Sequence, residues 1–194
     1  MFQDLDATLA ALLDDPAAPP ALRAADISFA TPDKDFRPPQ PTVNLFLHAL
    51  HENLDLRDQS PLVERTTGGG FVHRRPPLRV DCSYLVTVWS ALAGGLKAEE
   101  EHRLLGLALL WLSGFPVIEE RHLRGGLTHP PQLHAVPAQW GRAEDGTGSG
   151  QFWTALGVPP RPALTLVVTV DALLAEEPDV YPPTKEVQVK TRLR

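Results

Sequence analysis

Apolar and polar residues alternate most strictly between Pro76 and Leu92, where Leu78, Val80, Cys82, Tyr84, Val86 and Val88 take every second position. A period of two is that of a β-strand. The stretch predicts a long central strand, with one β-branched and aromatic face against a helical layer and a half-wet second face. Two further strands follow from the same pattern: Thr42–His48, with Val43, Leu45 and Leu47 in phase, and Ala163–Asp171, with Leu164, Leu166, Val168 and Val170 in phase. Shorter strands are predicted over Asp26–Ala30 and Leu133–Pro137. Helical spacing governs Phe2–Leu13 instead, where Phe2, Leu5, Leu9, Leu12 and Leu13 share a stripe and Asp4 and Asp6 occupy the first turn. Lys97–Ser113 predicts a second helix, with Glu99, Glu100 and Glu101 in its first turn. Its body is apolar nearly all round from Leu104 to Leu112, so burial on more than one side is expected. Gln151–Leu156 reads as a short third helix. Phe115–Arg121 is left open between helix and turn.

Together these elements predict an α/β (α+β) fold, a sheet of about four to five strands flanked by helices. Composition sharpens the picture. The 20 prolines fall largely in pairs, at Pro19-Pro20, Pro38-Pro39, Pro76-Pro77, Pro130-Pro131, Pro159-Pro160 and Pro182-Pro183. Proline pairs cannot continue a helix or donate to a ladder, and here they separate the periodic segments as rigid joints of one folded unit. A length of 194 residues suits a single domain, expected over residues 1–180. From Tyr181 the character changes. Lys185, Lys190, Arg192 and Arg194 against Glu186 leave a tail of +3 on an acidic body, with Val187 and Val189 in strand alternation. Residues 181–194 are therefore expected to be an assembly arm.

The formal net charge of −6 speaks against a general nucleic-acid binder, which gathers Lys and Arg on one face. Cys82 is the single cysteine, so no intramolecular disulfide forms, and its place on an apolar strand face makes it a small buried hydrophobe. The opening MFQDLDATL carries acids where a signal peptide needs bases, and the apolar run Leu104–Leu112 is too short to span a bilayer. A soluble protein, cytoplasmic at synthesis and without a membrane partner, is the expectation.

Candidate chemistry is sparse. His48, His51 and Glu52 have spacing that could share a metal, yet no third ligand cluster lies near in sequence, and the rim of a strand-to-loop transition is the expected setting. The glycine-rich stretches Arg65–Phe71 and Glu144–Gln151 lack the Lys-Ser/Thr of a phosphate loop and the frame of a dinucleotide fingerprint, so flexible surface loops are expected. Asp81 is expected to be an exposed or Arg79-paired rim charge. No residue set joins a nucleophile to a base, a pair of carboxylates or a closed ligand shell, and no cofactor is expected.

One ordered set of segments points further: VNLFL at 43–47, HEN at 51–53 with Arg57 after it, PPLRVDCSYLVT at 76–87, EEHRLLG at 100–106, FWTAL at 152–156 and RPAL at 161–164. In order and spacing this succession resembles the cap, or tube-terminator, proteins of extracellular contractile injection systems of the antifeeding-prophage kind. The resemblance implies a phage tail-terminator-like fold with a mixed sheet. It also implies a homohexameric ring on the distal end of the inner tube, touching the last sheath layer, with tube and sheath proteins as partners. Glu52, Asn53 and Arg57, after the second strand, are the candidate contacts to a neighbouring subunit, tube or sheath, together with Tyr181, Lys185, Val187, Val189, Lys190 and Arg192 of the arm. The alternatives are a soluble protein-binding module without enzymatic activity and a small hydrolase using Asp81 or a histidine.

Overall fold

The computed structural model describes residues 1–58, 60–67, 69–129, 132–141, 150–173 and 179–182. It opens with α1 (Phe2–Leu13) and the short α2 (Pro20–Arg23), then β1 (Asp26–Ser28), β2 (Thr42–Glu52), β3 (Leu62–Arg65), β4 (Phe71–Arg74) and β5 (Leu78–Trp89). The long α3 (Gly94–Ser113) leads to β6 (Val117–Ile118), two 3-10 turns at Glu120–His122 and Gly125–Leu127, and β7 (Val136–Trp140). α4 (Gly150–Leu156), β8 (Leu164–Ala172) and β9 (Asp179–Tyr181) complete the described elements.

Among the described residues the strands form a six-stranded sheet in the order β1-β2-β5-β8-β7-β6 and a separate three-stranded sheet β3-β4-β9. β1 runs parallel to β2 and the remaining ladders are antiparallel, so the main sheet is mixed. β5 is its central strand, flanked along its length by β2 and β8. The expected long strands are present, with one strand more in the main sheet than the upper expectation and a second sheet besides.

One face of the main sheet carries Val43, Leu45, Cys82, Tyr84, Val86, Leu166, Val168 and Val170, all at most 2 % exposed. Against it pack Leu5, Leu9 and Leu12 of α1 and Leu104, Ala108 and Leu112 of α3, spaced three or four apart as a core stripe requires. Burying each of these leucines contributes about 1.5–3 kcal/mol. Tyr84 is too polar to bury unpaired, and its hydroxyl donates to Asp6 on α1 at 2.7 Å. Thr8 ties the same helix to the turn region: its hydroxyl donates to the Asp4 carbonyl at 2.8 Å and accepts the Arg124 amide at 3.0 Å.

Several expectations change here. The second face of β5 is not half-wet, because Arg79, Ser83, Leu85 and Thr87 are all buried. α4 and the flanking extended segments cover it: Trp153 is buried, Phe152 packs on His48, and Trp89 lies between Phe36 and the Arg161 guanidinium. α3 starts one turn earlier than expected, leaving Glu99–Glu101 beyond the first turn, and it buries Leu104, Ala108 and Leu112 fully, with Leu105, Leu107 and Trp111 half-buried beside them and Leu110 74 % exposed. Trp111, expected in the core, is half-buried. Its indole packs on Phe115 and donates to the Leu12 carbonyl at 2.9 Å. β7 begins three residues after the strand expected at Leu133. Residues 115–121, left open between helix and turn, hold β6 and the start of a 3-10 turn.

The largest departures lie at one end of the sheet. β2 does not stop at His48; it passes through a bulge between Leu47 and Ala49 and continues to Glu52. The stretch Arg65–Phe71 is not a free loop but the turn of the β3–β4 hairpin, closed by Thr66 and Gly70 and by Gly69 at φ 79°. The second glycine-rich stretch, 144–151, falls mostly outside the described residues.

Candidate assembly surface

Four of the motif blocks meet in two polar clasps at opposite ends of the sheet. At the first, Asn53 follows the last residue of β2 and turns back on β5. Its amide donates to the Arg79 carbonyl at 2.8 Å, and its side chain donates to both Asp81 oxygens at 3.1 Å. Thr169 of β8 donates to the same carboxylate at 2.6 Å, and the Asn53 side-chain oxygen accepts the Leu56 amide at 2.9 Å. Asp81 is thus a half-buried acceptor shared by three strands, not a rim charge paired with Arg79. Arg79 bonds instead to Asp171 at 2.6 Å, with the two side chains 5 % and 1 % exposed. Asp171 also accepts the His134 amide at 2.9 Å and faces its Nδ1 at 3.1 Å, while the Asp171 amide donates to the Gln132 side chain. The segment before β7 is thereby pinned over the part of β8 that β7 does not reach.

At the other end, Glu101 of α3 accepts the Ser90 amide at 3.1 Å and the Arg161 guanidinium at 2.9 Å, and Glu100 accepts the Ser90 hydroxyl. Arg161 in turn stacks on Trp89 at 3.6 Å. These groups satisfy one another.

Two groups of the core, Cys82 and Tyr84, are held protonated. Burial, reinforced by Asp81 and Asp6, pushes the Cys82 thiol up to about 12, so it stays protonated. Burial and the bond to Asp6 likewise push the Tyr84 hydroxyl far up. Among the described residues no three His, Cys, Asp or Glu side chains come together as a ligand set; His48 stacks on Phe152, while His51 pairs in register with Asp81.

What the first end offers is surface. Seven large apolar side chains lie exposed there on β2, its following loop, the hairpin and the segments around Asp171: Leu50, Leu54, Leu56, Val63, Leu133, Leu173 and Tyr181. Four of the residues singled out from sequence share this end: Glu52, Asn53, Arg57 and Tyr181. Glu52 and Arg57 are exposed and bond to each other at 3.4 Å, whereas Asn53 is half-buried and shapes the loop. Tyr181, expected at the start of the arm, is the last residue of β9. It pairs with Phe71 and rests on His73 with ring centroids 4.6 Å apart. Gly70 is required beneath it, since a Cβ there would stand 2.6 Å from the Tyr181 carbonyl oxygen. Lys185, Val187, Val189, Lys190 and Arg192 lie outside the described residues. The Asn53–Asp81 and Arg79–Asp171 clasps escape sequence reading because their partners stand 28 and 92 residues apart.

The architecture is similar to that of the sheath/tube terminator of an extracellular contractile injection system, PVC, in its extended state. The identity is 22 % over 100 % of this chain and 64 % of that one, with a TM-score of 0.71. It is similar too to the tube-terminating cap of the anti-feeding prophage, at 22 % identity over 98 % of this chain and 62 % of that one, with a TM-score of 0.68. The chain therefore spans somewhat less than two thirds of the length of either relative. No curated protein matches it. The family model described as the Pvc16 N-terminal domain matches residues 4–186, from α1 through β9. With nearly every residue inside that match, the chain belongs to the Pvc16 N-terminal domain family.

Proposed function

We propose that this protein is a structural cap that ends the growth of the inner tube of a contractile injection particle and couples the tube to the last layer of sheath. The observation that supports this most is the fold itself, shared over essentially the whole chain with a sheath/tube terminator and a tube-terminating cap. The physical requirement is simple. A polymer of stacked rings displays at its end the surface it grows by, so a subunit that matches that surface on one side only stops addition.

In this reading the working unit is a homohexameric ring, and its partners are the inner tube protein and the sheath protein. The protein is made in the cytoplasm and leaves it, if at all, within the assembled particle. The exposed apolar end of the sheet suits contact with other subunits, because such a patch on a lone chain costs solubility unless it is covered. The self-satisfied clasps suit a scaffold, not an enzyme. Size by light scattering, followed by imaging of the purified protein, tests the ring. A ring of six copies about as wide as an injection tube is expected, and a monomer at all concentrations, with or without tube present, contradicts it.

A further inference from the structure

β2 has a partner on its outer side only over Thr42–Asn44, where β1 runs beside it, and from Leu45 onward no strand flanks that edge among the described residues. Past the bulge the edge emerges from the body. Ala49 is half-buried, Leu50 is 43 % exposed, and His51 and Glu52 are exposed. Leu50 is the register partner of Cys82, so it prolongs the core face of the sheet beyond its helical cover. The next loop adds exposed Leu54 and Leu56, and its acids Glu52, Asp55 and Asp58 outnumber the single base Arg57. The result is a short apolar edge with an acidic rim. It carries neither the lysine nor the proline that usually guards an open strand.

The same chain supplies a complementary segment. β9 begins at Asp179, opposite His73, and ends at Tyr181, opposite Phe71 beside the hairpin turn. The backbone therefore leaves at the tip of the hairpin, opposite to its Arg74–Leu78 junction with the six-stranded sheet. Pro183–Arg194 follow in sequence and lie outside the described residues; twelve extended residues reach about 40 Å. Lys185, Lys190, Arg192 and Arg194 against Glu186, with Val187 and Val189 two apart, give this segment the opposite charge and a matching apolar alternation.

We propose that Glu186–Lys190 of one copy pairs as an added strand with the Ala49–Glu52 edge of a second copy. The inference rests on the cap reading and deepens it by naming the contact between subunits. Backbone hydrogen bonds supply affinity, a valine beside Leu50 sets the register, and the bases of the segment face Glu52, Asp55 and Asp58. A second copy is favoured over the chain's own edge because β9 ends at the hairpin tip, the end farthest along the hairpin from its Arg74–Leu78 junction with the six-stranded sheet. The Glu52–Arg57 bond, 3.4 Å and half-exposed, is the competitor within the chain. Edge and segment are different surfaces, so each copy uses both once in a closed ring.

Hydrogen exchange on the full chain over a concentration series tests this. The outward amides of Ala49–Glu52 should gain protection as concentration rises and lose it in Val187→Pro/Val189→Pro, while those of β5 stay unchanged. Glu52→Lys and Lys190→Glu should each weaken self-association roughly fivefold, and together recover most of the loss. Protection independent of concentration, protection that survives the prolines, or losses that add in the double variant would overturn the proposal. If such a result comes from protein that still caps tubes, the edge contact is wrong and the cap reading stands. Concentration-dependent edge protection in protein that never caps tubes would instead uphold the contact and remove the cap reading.

Discussion

At the scale of single residues, three carboxylates, Asp171, Asp6 and Asp15, hold contacts between distant parts of the chain, and their environments differ. Asp171 accepts from Arg79 and from His134 with its side chain almost fully buried. Removing one member strands a buried charge, so Asp171→Leu should cost about 3–5 kcal/mol in urea unfolding, whereas Arg79→Met with Asp171→Leu should cost much less than either alone. Asp6 and Asp15 oppose each other in acid. Burial raises the Asp6 carboxyl above its ordinary value of 3.8, against the lowering effect of Tyr84, so the native state holds a proton that the unfolded chain has released. Stability through Asp6 therefore falls as pH rises across the window between 3.8 and the higher native value. Asp15 is lowered, chiefly by its bond to His122 at 2.8 Å, so its contribution is complete above 3.8 and is lost as pH falls through the native value. Asp6→Asn should leave stability at pH 7 unchanged or raised, and Asp15→Asn should lower it, with both differences vanishing in strong acid. Cys82 offers a simpler check. With its thiol held up to about 12 and fully buried, labelling by a thiol reagent at pH 8 should proceed only as fast as the chain unfolds. Rapid labelling of native protein would contradict the burial.

At the scale of elements, the hairpin sheet is the smaller of the two, and the pairing of its third strand depends on one glycine. Gly70 has an ordinary φ, so its constraint is space. Gly70→Ala drives a methyl into the Tyr181 carbonyl, and backbone must shift to admit it. The expected cost is about 1–3 kcal/mol, concentrated on β9, whose amides should lose exchange protection while β5 keeps its own. Long elements are legible in the sequence because their period extends over enough residues to stand out: α1, β5, α4 and β8 lie within about a residue of where the pattern places them. The hairpin is not. Its strands have four residues each, and the glycines between them read as a loop, although glycines are what a tight turn beneath a crossing strand requires. The pattern of β2 ends at His48 because the bulge there breaks the alternation, shifting the phase by one residue. α3 misleads in the other direction. Its leucines suggest burial on more than one side, and Leu105, Leu107 and Trp111 are half-buried beside the core stripe, but Leu110 is left in solvent.

At the scale of the whole molecule, sequence order carries the family while pairwise contacts carry the candidate surface. Four of the six motif blocks supply the clasps, HEN and PPLRVDCSYLVT at one end of the sheet and EEHRLLG and RPAL at the other, so their joint spacing records a fold. The exposed end is a product of topology: β2, the hairpin and the segments around Asp171 reach it from four parts of the chain, and no single stretch announces it. A cap also has to act on a polymer, and that property belongs to no residue or element alone. The most direct measurement is the length of inner tubes assembled in the presence of rising amounts of this protein, imaged by electron microscopy. The account predicts tubes that shorten as the protein is added and that carry extra density at one end only. Tubes of unchanged length with bare ends, at concentrations where the protein is folded, would contradict it.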